Sequence, residues 1–252
     1  MLDPVAFAKS CVPILVDVRM ACRLEWEGDS PEWDLRLVCA LLGAQPIETP
    51  EGNPAAALSV SKETESGRYV VIYSNGLMVT RQCVSVMEAC NALRACSRLL
   101  ATVPPVGMVA NFLNFSGFTN PAMVSSRMQL ITATAECYIG PVDLRRLAIY
   151  TAASAEAADP NTRNLTQMKS IDGQLTFYFT NPNVMVMVNT NGRVVLQVQG
   201  SLEAGWNVDS ALIDAQNRCK SLVGSLAPKS VDLSNPATVT GSGEVPDMAA
   251  AS

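Results

Sequence analysis

Two stretches of the chain alternate apolar and polar positions in the same way around the same dipeptide. Tyr69-Val-Val-Ile-Tyr-Ser-Asn-Gly-Leu-Met-Val79 has its counterpart in Met185-Val-Met-Val-Asn-Thr-Asn-Gly-Arg-Val-Val195. In each, an apolar run meets Asn-Gly (Asn75-Gly76, Asn191-Gly192) and a second apolar run follows. Asn-Gly tolerates positive φ at both turn positions, so the pattern predicts two β-hairpins with two-residue type I′ turns. Flanking markers recur in the same order: Asp34-Leu35-Arg36 with Asp143-Leu144-Arg145, and the helical run from Cys96 to Pro104 with that from Cys219 to Pro228. The separation between copies grows from 109 to 116 to 123 residues, which places small insertions in the second copy. A unit this long predicts two halves of a pseudo-symmetric domain rather than a solenoid repeat.

Around the hairpins each copy reads strand, helix, several strands and a long helix. The first opens on an apolar strand over 12–18. Ser30-Pro31 offers an N-cap followed by proline at the first helical position, predicting a helix that runs to Gly43. Residues 45–54, with Pro46, Pro50, Gly52 and Pro54, read as a polar loop. Strands are expected over 56–60, 69–74 and 77–81. In the closing helix over 88–103, Ala89, Ala92, Cys96, Leu99 and Val103 fall on one face at alternating spacings of 3 and 4. The second copy begins near 123–135, with a helix over 142–157 stopped by Asp159-Pro160. Strands follow over 175–180, 184–189 and 193–199. Its closing helix carries Leu212, Ala215, Cys219, Leu222 and Leu226 at the same spacing. The expected layout is therefore a first repeat over 1–106, a second over 107–228 and a disordered tail over 229–252 rich in Ser, Pro, Gly and Ala. This is an α+β pattern. The two halves are expected to join edge to edge into one curved antiparallel sheet, with the two long helices on its convex face. A concave face left uncovered needs polar residues or a partner.

Composition narrows the chemistry. Hydrophobic residues make up 48% and charged residues 16% of the 252, which excludes wholesale disorder. No apolar run approaches the roughly 18 residues of a membrane span. The first residues lack the basic start and long apolar stretch of a secretory signal, so a soluble intracellular protein is expected. There is no histidine, which removes Ser-His and Cys-His nucleophile systems and the usual zinc-finger ligand sets. The eight cysteines form no C-x-x-C pair and stand mostly among Ala, Val and Leu, so buried thiols are expected. Glu63, Glu65, Glu25 and Glu27 lie in polar surroundings without a nucleophile or metal motif. No enzyme, cofactor or small-molecule substrate is expected. The net charge of −5, with no basic stripe, argues against a protein that lives mainly on phosphate contacts.

With these residues in view, the chain resembles the TATA-box-binding protein (TBP) family over roughly 11–228. Ala56-Ala57-Leu58 with the 69–79 hairpin resembles the family's first-repeat strands, and 184–196 resembles the second-repeat hairpin. Met20-Ala-Cys-Arg-Leu-Glu25 resembles its first strand. The resemblance implies a saddle that sits on the DNA minor groove, with a convex surface that binds other transcription factors. The family drives phenylalanine wedges between base steps, a mechanism for which TBP is itself the standard example. The four wedge positions align here with Ala55, Tyr73, Asp172 and Asn189, none of them phenylalanine. The central groove-reading asparagines align with Pro13 and Ile131, and the groove-facing threonines with Arg81 and Gln197. The lysine after each hairpin glycine becomes Leu77 and Arg193, while the sugar-packing valines persist as Val79 and Val195. The resemblance narrows to the divergent TBP-related factors of kinetoplastid protists, in which wedge phenylalanines are substituted.

The function so implied is that of a nuclear transcription initiation factor. It would nucleate promoter complexes through protein contacts, with weak or assisted minor-groove binding. IIA-like and IIB-like factors and subunits of a promoter-binding complex are the implied partners. The IIB-like contact region falls on the loop 166–173, including Met168, Lys169 and Ser170. The IIA-like region falls on 52–68, including Lys62. Tryptophan is enriched at interface hot spots, although partial core burial is its commoner fate. Of Trp26, Trp33 and Trp206, Trp206, in an insertion of the second copy, is the best anchor for a partner. The alternative is a protein-binding scaffold with no nucleic-acid role.

Overall fold

The computed structural model describes residues 12–26, 31–60, 67–107, 123–202 and 205–226. In chain order these form strand β1 (Ile14–Trp26), helix α1 (Leu35–Leu42), strands β2 (Gln45–Glu48), β3 (Pro54–Ser59), β4 (Tyr69–Ile72) and β5 (Leu77–Arg81), and helix α2 (Val86–Leu100). Then follow β6 (Met123–Ser125), β7 (Gln129–Tyr138), α3 (Leu144–Glu156), a 3-10 turn (Pro160–Thr162), β8 (Leu165–Ile171), β9 (Gln174–Phe179), β10 (Val184–Asn189), β11 (Arg193–Gln199) and α4 (Val208–Gly224). Lys62 and the tail expected over 229–252 lie outside the described residues.

Ten strands run in one antiparallel path, β2-β3-β4-β5-β1-β7-β11-β10-β9-β8, and β6 pairs with the end of β1. The order reads the same from both ends once β1 is matched to β7, β2 to β8 and so on, which puts a pseudo-twofold axis between β1 and β7. Hydrogen bonds outside the ladders repeat too. Leu24 N–H donates to the Gly76 carbonyl and Ile139 N–H to the Gly192 carbonyl, at 3.0 and 2.9 Å. Trp33 N–H donates to the Ser74 carbonyl and Val142 N–H to the Thr190 carbonyl, at 2.7 and 3.1 Å. Even the irregularities match. Val16 on β1 and Ile131 on β7 are each skipped in the β1–β7 register, and both are 39% exposed.

The two Asn-Gly hairpins form, but not with type I′ turns. Gly76 and Gly192 have φ of +75° and +86°, while neither Asn75 nor Asn191 is left-handed. Gly76 N–H donates to the Tyr73 carbonyl and Tyr73 N–H to the Leu77 carbonyl, the pattern of a type I turn closed by a left-handed glycine bulge. Each asparagine side chain accepts from the N–H two residues on, Leu77 and Arg193, which holds it right-handed. The type I′ turn lies elsewhere: Asp172 and Gly173, at φ +47° and +76°, join the paired residues Ile171 and Gln174.

The core lies on one sheet face, under the helices. Register connects Ala56, Ile72, Met78 and Cys22 across the first half, and Val18, Ala133, Val198, Val184 and Phe179 across the second. All are buried in the cluster that also holds Val38 of α1, Leu93 and Cys96 of α2, Leu147 of α3 and Leu212, Cys219 and Leu222 of α4. Burial pushes the thiols of Cys96 and Cys219 up to about 12 and that of Cys83 up to about 11, so they act as small hydrophobes. Trp33 belongs to this core as well, 1% exposed, its Nε1–H donating to the Val103 carbonyl at 3.1 Å.

Asp34, not Ser30, caps α1, its carboxylate accepting from Arg36 N–H. Asp143 caps α3 at the matching position but accepts from Arg146 N–H, three residues on rather than two. At α2, Ser85 accepts from Glu88 N–H while the Glu88 carboxylate accepts from Val84 N–H, a variant of the capping box.

Candidate nucleic-acid interface

The sheet face away from the helices carries the residues that alternate with the core. Its first half is largely apolar: Ala55, Ala57, Val71, Leu77 and Val79, with Tyr69 and Arg81 paired at the border. Ala55, Val71 and Val79 are 2%, 2% and 6% exposed, although they lie outside the helix-covered core. The second half is mixed. Val195, Gln197 and Gln199 of β11 stand beside Glu136, Thr134 and Thr132 of β7, and Met185 and Met187 of β10 beside Tyr178 and Thr176 of β9. Gln197 Nε2 donates to Thr134 Oγ1 at 3.5 Å and Gln199 Nε2 to Gln197 Oε1 at 3.3 Å, a short amide ladder across the middle of the molecule.

Val79, Arg81, Asn189, Arg193, Val195 and Gln197 therefore share this face, as their alternation predicts. Tyr73, half-buried, begins the β4–β5 turn just past β4. Asp172 does not join them. It is exposed at the tip of the β8–β9 turn, and the residue matching Ala55 in the second half is Gln174, paired with Asn189. A residue-for-residue match of the two half-sequences slips here by two residues because β9 begins only after the Asp-Gly turn. Likewise the bulge at Ile131 is matched by Val16, not by Pro13.

The proposed partner loop over 166–173 is in fact mostly edge strand β8. Met168 pairs with core residue Phe177 and packs on the core. Ser170, paired with Leu175, is exposed on the helical side. Lys169 points the other way, its ammonium 5.6 Å from the centre of the Tyr178 ring. These three are not one contact surface. Trp206 is partly buried against the core, which weakens its use as an anchor.

Along the ten-strand path the face carries five cations, Arg19, Arg23, Arg81, Lys169 and Arg193, and three carboxylates, Asp17, Glu136 and, near the end of β1, Glu25. Asp17 and Glu136 are engaged. Asp17 accepts from Arg19 Nε at 2.6 Å and from Gln82 N–H at 2.8 Å. Glu136 takes Arg193 in a two-pronged pair, Nε to Oε2 at 3.1 Å and Nη2 to Oε1 at 2.5 Å. That pairing raises the Arg193 guanidinium's hold on its proton. Asp17, Arg19, Arg23, Thr132, Thr134 and Glu136 are the face residues sequence reasoning missed. The signal for Thr134 and Glu136 was present in the alternation Ala133-Thr-Ala-Glu-Cys137, small apolar against polar.

No protein-family model matches the sequence, and no curated protein matches it. Among solved structures, the TBP of Methanococcus jannaschii is similar over 85% of this chain and 99% of its own, at 14% identity, with a TM-score of 0.51. The fold is TBP-like. The strand order, symmetric about β1 and β7, is thus that of a TBP-like α+β architecture. The identity is low enough that the likeness carries the fold alone. Among the described residues no cluster of His, Cys, Asp or Glu could hold a metal ion, and no helix is long and apolar enough to cross a membrane.

Proposed function

We propose that the chain is a TBP-related transcription initiation factor that acts in the nucleus. It nucleates promoter complexes through protein contacts and touches promoter DNA only weakly or with assistance. One observation carries this reading: a TBP-like sheet presents Ala55, Tyr73, Gln174 and Asn189 at the four matched positions, with no phenylalanine among them. Bending a duplex costs about 1–6 kcal/mol on smooth elastic estimates, and wedge insertion is what offsets it. Without wedges that offset is missing, while Arg23, Arg81, Lys169 and Gln197 still offer groups for phosphates and minor-groove acceptors. The substituted wedges are also the feature shared with the TBP-related factors of kinetoplastids. The protein side of the reading is supported by an exposed apolar groove of about 420 Å³, lined by Val12, Ile14, Val84, Leu212 and Ile213. Exposed apolar surface of this kind marks protein contact. IIA-like and IIB-like factors and promoter-complex subunits are the proposed partners, and the reading includes no catalytic step.

A second reading, a protein-binding scaffold with no nucleic-acid role, draws on the apolar first half of the face. Promoter occupancy of tagged variants in cells separates the two and tests the first. Tyr73→Ala with Asn189→Ala is expected to leave occupancy largely intact, whereas Ser170→Arg, on the exposed side of β8, is expected to reduce co-purifying factors and occupancy together. If the face double variant alone abolishes occupancy while Ser170→Arg keeps every partner, the face grips DNA itself and the protein-contact mechanism is wrong.

A further inference from the structure

The Arg193–Glu136 pair has no counterpart in the other half of the molecule. The pseudo-twofold axis matches Arg193 to Leu77 and Glu136 to Ala21, both apolar. Glu136 sits on β7, one of the two central strands, opposite Ile14 at the start of β1, so its carboxylate stands midway across the sheet toward one end of its central strands. Both of its oxygens are turned to the one guanidinium. A carboxylate presents a guanidinium with the same planar two-oxygen edge that a phosphate does.

We propose that Glu136 is an internal substitute for a DNA phosphate: it occupies Arg193, adds a like charge in the path of the duplex, and so holds this face at low intrinsic affinity. The proposal rests on the reading of the face as a DNA-contacting surface. Binding a duplex in the wild-type protein requires either giving up the pair or leaving Arg193 out of the contact. Asp17 has a different role. It also accepts from Gln82 N–H, whose residue is left-handed at φ +59°, and so fastens the end of β5 to β1. Glu136 has no such backbone duty among its described hydrogen bonds. With side chains 52% and 35% exposed, the Arg193–Glu136 pair is of the surface kind that contributes little to stability. Its retention is therefore not required by the fold.

The test is fluorescence anisotropy of a labelled 20-base-pair duplex titrated with the full chain, from about 50 to 200 mM salt. The variants are Glu136→Gln, Arg193→Ala, their combination, and Asp209→Asn as an equal charge change on the first turn of α4. Glu136→Gln is expected to tighten binding about tenfold at the low-salt end and to steepen the salt dependence by about 0.9, the increment for one added phosphate contact. The steepening should vanish in the combined variant, and Asp209→Asn should change neither quantity. If wild type binds and Glu136→Gln matches it, or Asp209→Asn does as much, the substitute role is wrong while the DNA reading stands. If neither wild type nor Glu136→Gln binds at low salt, both fall.

Discussion

Gly192 and Gly173 both sit at positive φ, +86° and +76°, but only Gly192 has backbone packed against it. A Cβ there would run into Gly140, whose Cα would lie 2.9 Å away, whereas at Gly173 nothing lies within 4 Å. Gly173→Ala should therefore cost only left-handed backbone strain, about 1–2 kcal/mol. Gly192→Ala should cost about 1–3 kcal/mol more, because the turn must also move off the Gly140 backbone it leans on. Urea unfolding midpoints of the two variants measure the difference. Equal losses would mean that the close approach of the hairpin to Gly140 is not part of the fold. The sequence marks both glycines as turn residues, but not which of them is crowded. Crowding comes from residues some fifty positions away in the chain, and the turn type follows from an asparagine side chain bonding to its own backbone.

At the level of elements, legibility follows burial. The strands β10 and β11, both under helix α4 on one side, begin and end where their alternation says. On pattern alone, edge strands β2 and β8 read as loops. The pattern that marks a strand is burial of every second residue, and at an edge even the inward side chains keep water, as Ser170 does. Proline in and beside β2 strengthened the wrong reading, although proline on an edge strand is ordinary. The start of α1 was misplaced for a tertiary reason. Ser30-Pro31 has the right local chemistry, but Trp33 is tied by its N–H to Ser74 and buried in the core, so the helix starts only after Asp34. The two caps that result, Asp34 and Asp143, occupy equivalent positions, although Asp34 accepts from the N–H two residues on and Asp143 from the N–H three residues on. Each replaced by alanine should lower stability by a similar amount, about 0.5–2 kcal/mol, in thermal or urea unfolding. A loss at one and none at the other would show that only one of the two capping bonds holds its helix start.

Over the whole molecule, the duplicated hairpins were enough to anticipate a symmetric sheet and to place Val79, Arg81, Asn189, Arg193, Val195 and Gln197 on one face. The pairing across the axis was out of reach. It joins β1 to β7 over more than a hundred residues, and no local pattern says that Ile14 pairs with Glu136 or that Asp17 pairs with Thr134. For the same reason the self-paired charges went unseen, and they change the electrostatic reading most. Five cations on a face suggest a strong hold on phosphate, yet two of them are already matched to carboxylates on that face. Wedges are missing as well, so the chain on its own should behave as a weak, nonspecific binder that leaves the duplex nearly straight. Fluorescence transfer between dyes at the two ends of a TATA-containing duplex, titrated with the purified chain alone at physiological salt, measures affinity and bend together. The account predicts a dissociation constant on the order of 1 µM or weaker with little change in end-to-end distance. A nanomolar, strongly bent complex formed without any partner would contradict it.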